Sequence, residues 1–121
     1  MKYLCLIFSG DKPWSALSQS EIDAWTAEQA DYGQTLHQSG HLVTAEALQH
    51  AERATTLRVR NGQLSVTDGP YVETNEQLGG FFVIEARDLN DAIRVASKMP
   101  LARFGNVEVR PIRDCLPGSV Q

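Results

Sequence analysis

Two short segments are apolar on both sides of an extended chain: residues 2–8, Lys-Tyr-Leu-Cys-Leu-Ile-Phe, and residues 80–86, Gly-Phe-Phe-Val-Ile-Glu-Ala. Successive side chains of a strand point to opposite faces. In the first segment Tyr3, Cys5 and Ile7 therefore oppose Leu4, Leu6 and Phe8, and in the second Phe82 and Ile84 oppose Phe81 and Val83. A sheet with one wet face alternates apolar with polar residues, so these strands need cover on both sides. Helices of the same chain can supply one cover. The other is either a second copy, giving a homodimer through sheet faces, or a hairpin of the same chain folded over. The second copy is the expected one, because each apolar side chain withdrawn from water contributes roughly 1.5–3 kcal/mol.

The remaining elements follow from periodicity and punctuation. Ser18 and Glu21 form a capping box. Ile22, Trp25, Gln29, Tyr32 and Leu36 then recur at steps of three and four, which predicts a helix over 19–38 that stops at Gly40. A short strand is expected over 42–48. Residues 55–60 and 63–67 flank Asn61-Gly62, the dipeptide that most strongly signals a hairpin. Residues 73–78 read as a turn or a single helical turn before the second double-faced strand, 80–86. Asp88 caps a second helix whose buried face is expected to be Leu89, Ala92, Ile93, Ala96 and Met99, with Pro100 ending it. A last strand spans 106–112. The order strand, helix, strand, hairpin, strand, helix, strand is that of an α+β, ferredoxin-like antiparallel sheet with two helices on one face and an inserted β-hairpin. One domain over 1–113 and a tail over 114–121 are expected.

Charge narrows the partners. Fifteen acidic against eleven basic residues give a formal charge of −4, with no Lys/Arg cluster to neutralise a run of phosphates or an anionic bilayer. Neither nucleic acid nor membrane is an expected partner. The apolar start is broken at once by Ser-Gly-Asp-Lys-Pro, too early for a signal peptide or a span. Cys5 and Cys115 read as reduced thiols of a cytoplasmic protein. His37 and His41 are four apart but straddle Gly40 without an evident third ligand, and no metal or cofactor is expected.

The chemistry concentrates at residues 67–85. Asp68 is followed by Gly69, which tolerates positive φ, and Pro70, which fixes φ. Its carboxylate is either a general acid or base at a pocket mouth or the acceptor of an Asx turn. Gln29 interrupts an apolar stripe, as a buried amide that needs partners or as an edge residue in water. Arg58 and Arg110 lie on strands, where a guanidinium either holds an anionic ligand or pairs with Glu73, Glu85 or Glu108. Tyr71, Phe81 and Trp25 either wall a ligand pocket or are plain core.

The run Asp68-Gly69-Pro70-Tyr71, with Glu73, Gln77, Gly79 and Gly80, resembles the signature of the DGPF group of the YCII-related family, Tyr71 standing where Phe is usual. The start Met-Lys-Tyr-Leu, the region 14–17, Thr56 to Arg58, Ile84 to Ala86, Ala92, Pro100 and Glu108 to Pro111 extend the likeness over most of the chain. The resemblance implies a dimeric α+β barrel. It also implies that Asp68 is functional and that His41 reaches a pocket rim. In some members a histidine paired with an acidic residue falls at or near the place of Gln29, and an amide cannot shuttle a proton. Asn75 stands where Lys is typical, which removes a positive charge beside the motif. Two functions are implied: a small cofactor-independent enzyme with lyase- or isomerase-like acid–base chemistry on an aromatic or carboxylated metabolite, or a non-catalytic ligand-sensing or accessory protein associated with an extracytoplasmic-function sigma factor.

Overall fold

The computed structural model describes residues 1–10 and 16–113. The tail at 114–121 with Cys115, and residues 14 and 15 of the 14–17 region, lie outside the described residues. The chain runs β1 (Lys2–Ser9), α1 (Gln19–Gln38), β2 (Leu42–Ala47), β3 (Thr55–Arg60), β4 (Gln63–Asp68), β5 (Gln77–Glu85), α2 (Leu89–Ser97) and β6 (Asn106–Pro111), with 3₁₀ turns at Ala51–Arg53 and Pro100–Arg103. The main sheet is antiparallel in the order β2-β5-β1-β6, the ferredoxin-like arrangement. The inserted β3–β4 pair forms a separate two-stranded sheet.

Local chemistry accounts for the boundaries. The Ser18 hydroxyl accepts from the Glu21 amide while the Glu21 carboxylate accepts from the Ser18 amide, satisfying two orphan donors at the start of α1. At the hairpin tip Asn61 and Gly62 have φ of 52° and 75°, the pair of positive values that a two-residue type I′ turn requires. Of the turn or single helical turn expected at 73–78, the helical alternative does not form. That stretch bends instead, and β5 begins at Gln77, earlier than its apolar run implied.

The core lies on one face of the sheet. Tyr3, Cys5 and Ile7 of β1 and Phe82 and Ile84 of β5 pack with Leu36 of α1 and Ala92, Val95, Ala96 and Met99 around α2. The predicted buried face of α2 needs correction: Leu89 and Ile93 are each 49% exposed, and Val95 takes their place. Positions 92, 95, 96 and 99 make the tighter three-and-four stripe, with 89 and 93 on its flank.

On the opposite face, Leu4, Leu6 and Phe8 stand beside Phe81 and Val83, all half-buried. Cross-strand partners Thr44, Glu46, Glu108 and Arg110 border this strip with polar groups. The hairpin does not fold over it as a lid, since Leu57, Val59, Leu64 and Val66 remain 58–63% exposed.

Candidate functional site

Helix α1 divides along its length. Its C-terminal half is anchored: Leu36 is buried in the core, and the Tyr32 hydroxyl donates to the Val95 carbonyl at 2.5 Å. Glu28 accepts two bonds from Arg103, at 2.7 and 2.8 Å, and this guanidinium holds the Glu28 carboxyl below its ordinary pKa. On the face before Tyr32, Trp25 and Gln29 border a cavity of about 900 Å³. Ile7, Ser9 and Gly10 at the end of β1, Leu101, the segment 47–52, and residues of the 68–79 stretch complete its lining.

The Asp-Gly-Pro corner is built by backbone. Asp68 ends β4 opposite Thr55. Gly69, with φ of 109°, donates its N–H to the Ala54 carbonyl at 2.7 Å and accepts at its own carbonyl from the Thr56 hydroxyl at 2.8 Å. A side chain at that φ would be strained. The corner is therefore clamped from β3 without help from the Asp68 carboxylate, which makes no hydrogen bond or ion pair among the described residues. Gln77 braces the following bend, donating from Nε2 to the Val72 carbonyl at 2.9 Å and the Thr74 carbonyl at 3.3 Å.

The two glycines before the apolar run differ. A Cβ on Gly80 would stand 2.9 Å from the Glu46 carbonyl oxygen of β2, so close strand pairing excludes it. On Gly79 the nearest atom would be Ser9 Oγ at 3.8 Å, an ordinary contact, and Gly79 lines the cavity.

Of the residues singled out in the sequence, Asp68, Gly69, Pro70, Glu73, Gln77, Gly79, Trp25 and Gln29 meet at this cavity. Gln29 is half-buried, and its amide oxygen is withdrawn from solvent and accepts no hydrogen bond among the described residues. The Trp25 ring meets Phe104 edge-on, centroids 5.9 Å apart at 69°.

Other residues singled out lie elsewhere, Phe81 among them, on the open face of the sheet across from Leu6. Tyr71 does not wall the cavity: it is 78% exposed, carried outward after Pro70. Arg58 sits opposite Ser65, on the hairpin face away from Asp68, because alternation sends neighbouring side chains to opposite sides. Arg110 is on β6 and pairs with Glu108 at 2.5 Å. His41 is at the far end of β5 from the cavity, where its carbonyl accepts from the Glu85 amide.

Around His41 the structure assembles a second group that the sequence did not announce. Asp91 is 4% exposed, accepts from the Arg87 amide at 3.0 Å, contacts the Arg94 guanidinium and lies 3.6 Å from His41 Nε2. The Arg87 amide first, and Arg94 after it, hold its carboxyl down at about 2. An acid at the third position of a helix reads as ordinary capping, so only tertiary contact distinguishes it. The main cavity likewise gains His50 and Glu52 from the irregular link between β2 and β3, where no periodicity marked them. His50 Nδ1 accepts from the Glu52 amide at 3.2 Å.

Among the described residues no helix is long and apolar enough to cross a membrane, and no three His, Cys, Asp or Glu side chains converge as a metal site. A profile of the YCII-related domain matches residues 1–115. An uncharacterised protein of Rhizobium meliloti (strain 1021) is 31% identical over 122 residues, covering 99% of this chain and 98% of that protein. With a ferredoxin-like fold and the clamped Asp-Gly-Pro corner beside a cavity, the chain belongs to the YCII-related family.

Proposed function

We propose that this chain binds a small metabolite in the cavity beside Asp68 and acts on it as a cofactor-independent cytoplasmic enzyme. The observation that carries the reading is Asp68: this exposed residue borders the cavity, and the corner that carries it is held by Gly69 and Thr56, not by its own carboxylate. A carboxylate not spent on its own turn is available to a ligand. Asp68 would accept or deliver a proton. Gln29 would hold the ligand through its unbonded amide oxygen, and Trp25 would stack on its body. Histidine is the side chain able to relay protons near neutrality, and His50 on the same wall supplies what Gln29 cannot.

The working unit in this proposal is a homodimer. The strip Leu4, Leu6, Phe8, Phe81 and Val83 with its polar border has the pattern of an interface, an apolar centre inside a charged rim.

A second reading is supported by the amide at Gln29, which donates and accepts hydrogen bonds but moves no proton: ligand sensing in an accessory role beside an extracytoplasmic-function sigma factor. A thermal-shift screen of metabolites on wild type and Asp68→Asn separates the two. A compound that stabilises both proteins but is converted only by wild type establishes catalysis. One that binds without conversion by either supports sensing, and absence of any stabilising compound removes both readings.

A further inference from the structure

Resting on the reading that this cavity binds a small molecule, we infer that the ligand is cationic: an amine on an aromatic or aliphatic body, not a carboxylate. The charges of the lining are one-sided. Asp68, Glu52 and Glu73 all contribute to it, and among the described residues no Lys or Arg does. The arginines that an anionic ligand would need are placed elsewhere, Arg58 on the outer hairpin face and Arg110 against Glu108. A ligand carboxylate entering here would face three exposed like charges with no Lys or Arg among the described lining residues to offset them. An ammonium group would instead form charge-assisted hydrogen bonds to Asp68.

Two features besides charge point the same way. Gln29 presents a buried oxygen with no donor among the described residues. A buried acceptor left unmade is costly, so the missing partner is an N–H or O–H. An ammonium carries three donors on one atom and can satisfy more than one acceptor at once. The Trp25 ring, oriented by its edge contact with Phe104, adds an electron-rich surface of the kind that attracts cations. Ile7, Leu48 and Leu101 leave room for an apolar body.

The test titrates the full chain with three near-isosteric probes, 2-phenylethylamine, 2-phenylethanol and 3-phenylpropanoate. Binding is followed by NMR at the side-chain amide of Gln29 and the indole N–H of Trp25. The amine should bind at least about tenfold more tightly than the alcohol, with the carboxylate weakest. Asp68→Asn should weaken the amine by roughly 10- to 100-fold, the loss expected for a charge-assisted bond. Asp31→Asn, the same charge change on the exposed side of α1, should leave it within about twofold. Gln29→Met, checked for an unchanged melting curve, should also weaken the amine.

The inference is overturned if the carboxylate binds as well as the amine, or if Asp31→Asn and Asp68→Asn act alike. Equal binding of all three probes at Gln29 and Trp25 would overturn it while leaving the cavity a binding site. No shift at either residue with any probe would remove the cavity reading as well.

Discussion

The hydroxyl of Tyr32 donates to the carbonyl oxygen of Val95 at 2.5 Å, tying the two helices together across 63 positions of sequence. This bond closes the core side of α1 directly beyond the turn where Trp25 and Gln29 open onto the cavity. Burial raises the Tyr32 pKa by disfavouring its phenolate, so the neutral donor is kept. Tyr32→Phe should cost about 1 kcal/mol and lower Tm by roughly 4 °C, read by a thermal melt. It should also loosen the cavity wall, seen as faster amide exchange from 25 to 32.

Gly79 and Gly80 should respond oppositely to substitution. Gly80→Ala pushes a methyl group against the Glu46 carbonyl and should unpair the end of β2, lowering stability by about 1–3 kcal/mol. Gly79→Ala meets only ordinary contacts and should leave the urea midpoint close to wild type while narrowing the cavity and weakening ligand binding. Equilibrium unfolding alongside the probe titration measures both.

Asp91 sets part of the acid limb of stability. Its folded pKa is about 2, below the roughly 3.9 of an unfolded Asp, so its contribution is fully present above about pH 4 and is lost as pH falls toward 2. Asp91→Asn should lower the urea midpoint at pH 7, leaving Arg94 without its counter-charge. The gap between wild type and variant should narrow between about pH 4 and pH 2, as paired urea melts across that range would record.

The proposed dimer predicts a mass of twice 13.4 kDa in solution. Phe81 lies directly across from Leu6 at the centre of the open face. Phe81→Glu should give monomers by light scattering, because burying an unpaired carboxylate at an apolar interface outweighs the contacts that remain. Glu108→Gln, at the rim, should leave the mass unchanged.

Sequence carried the elements because they are decided by local chemistry. The Ser18/Glu21 box, the Asn61-Gly62 turn and the alternation in β1 and β5 act within a few residues, and the structure places helix, hairpin and strands accordingly. The antiparallel ferredoxin-like order followed from their succession. Where side chains compete for one surface the reading weakened. Leu89 and Ile93 are hydrophobic enough for the core but stand on the flank of α2, and the apolar face of the hairpin lies open to solvent.

The cavity divides in the same manner. By itself the chain determined that Asp68 stands in a rigid corner and that Gln29 interrupts an apolar stripe, since both are properties of neighbouring residues. Only the tertiary structure decided that the two share one cavity, that His50 and Glu52 join them, and that Arg58, Arg110, Tyr71 and His41 do not. Strand register and the path of irregular links determine which side chains converge, and both arise from packing between segments far apart in sequence.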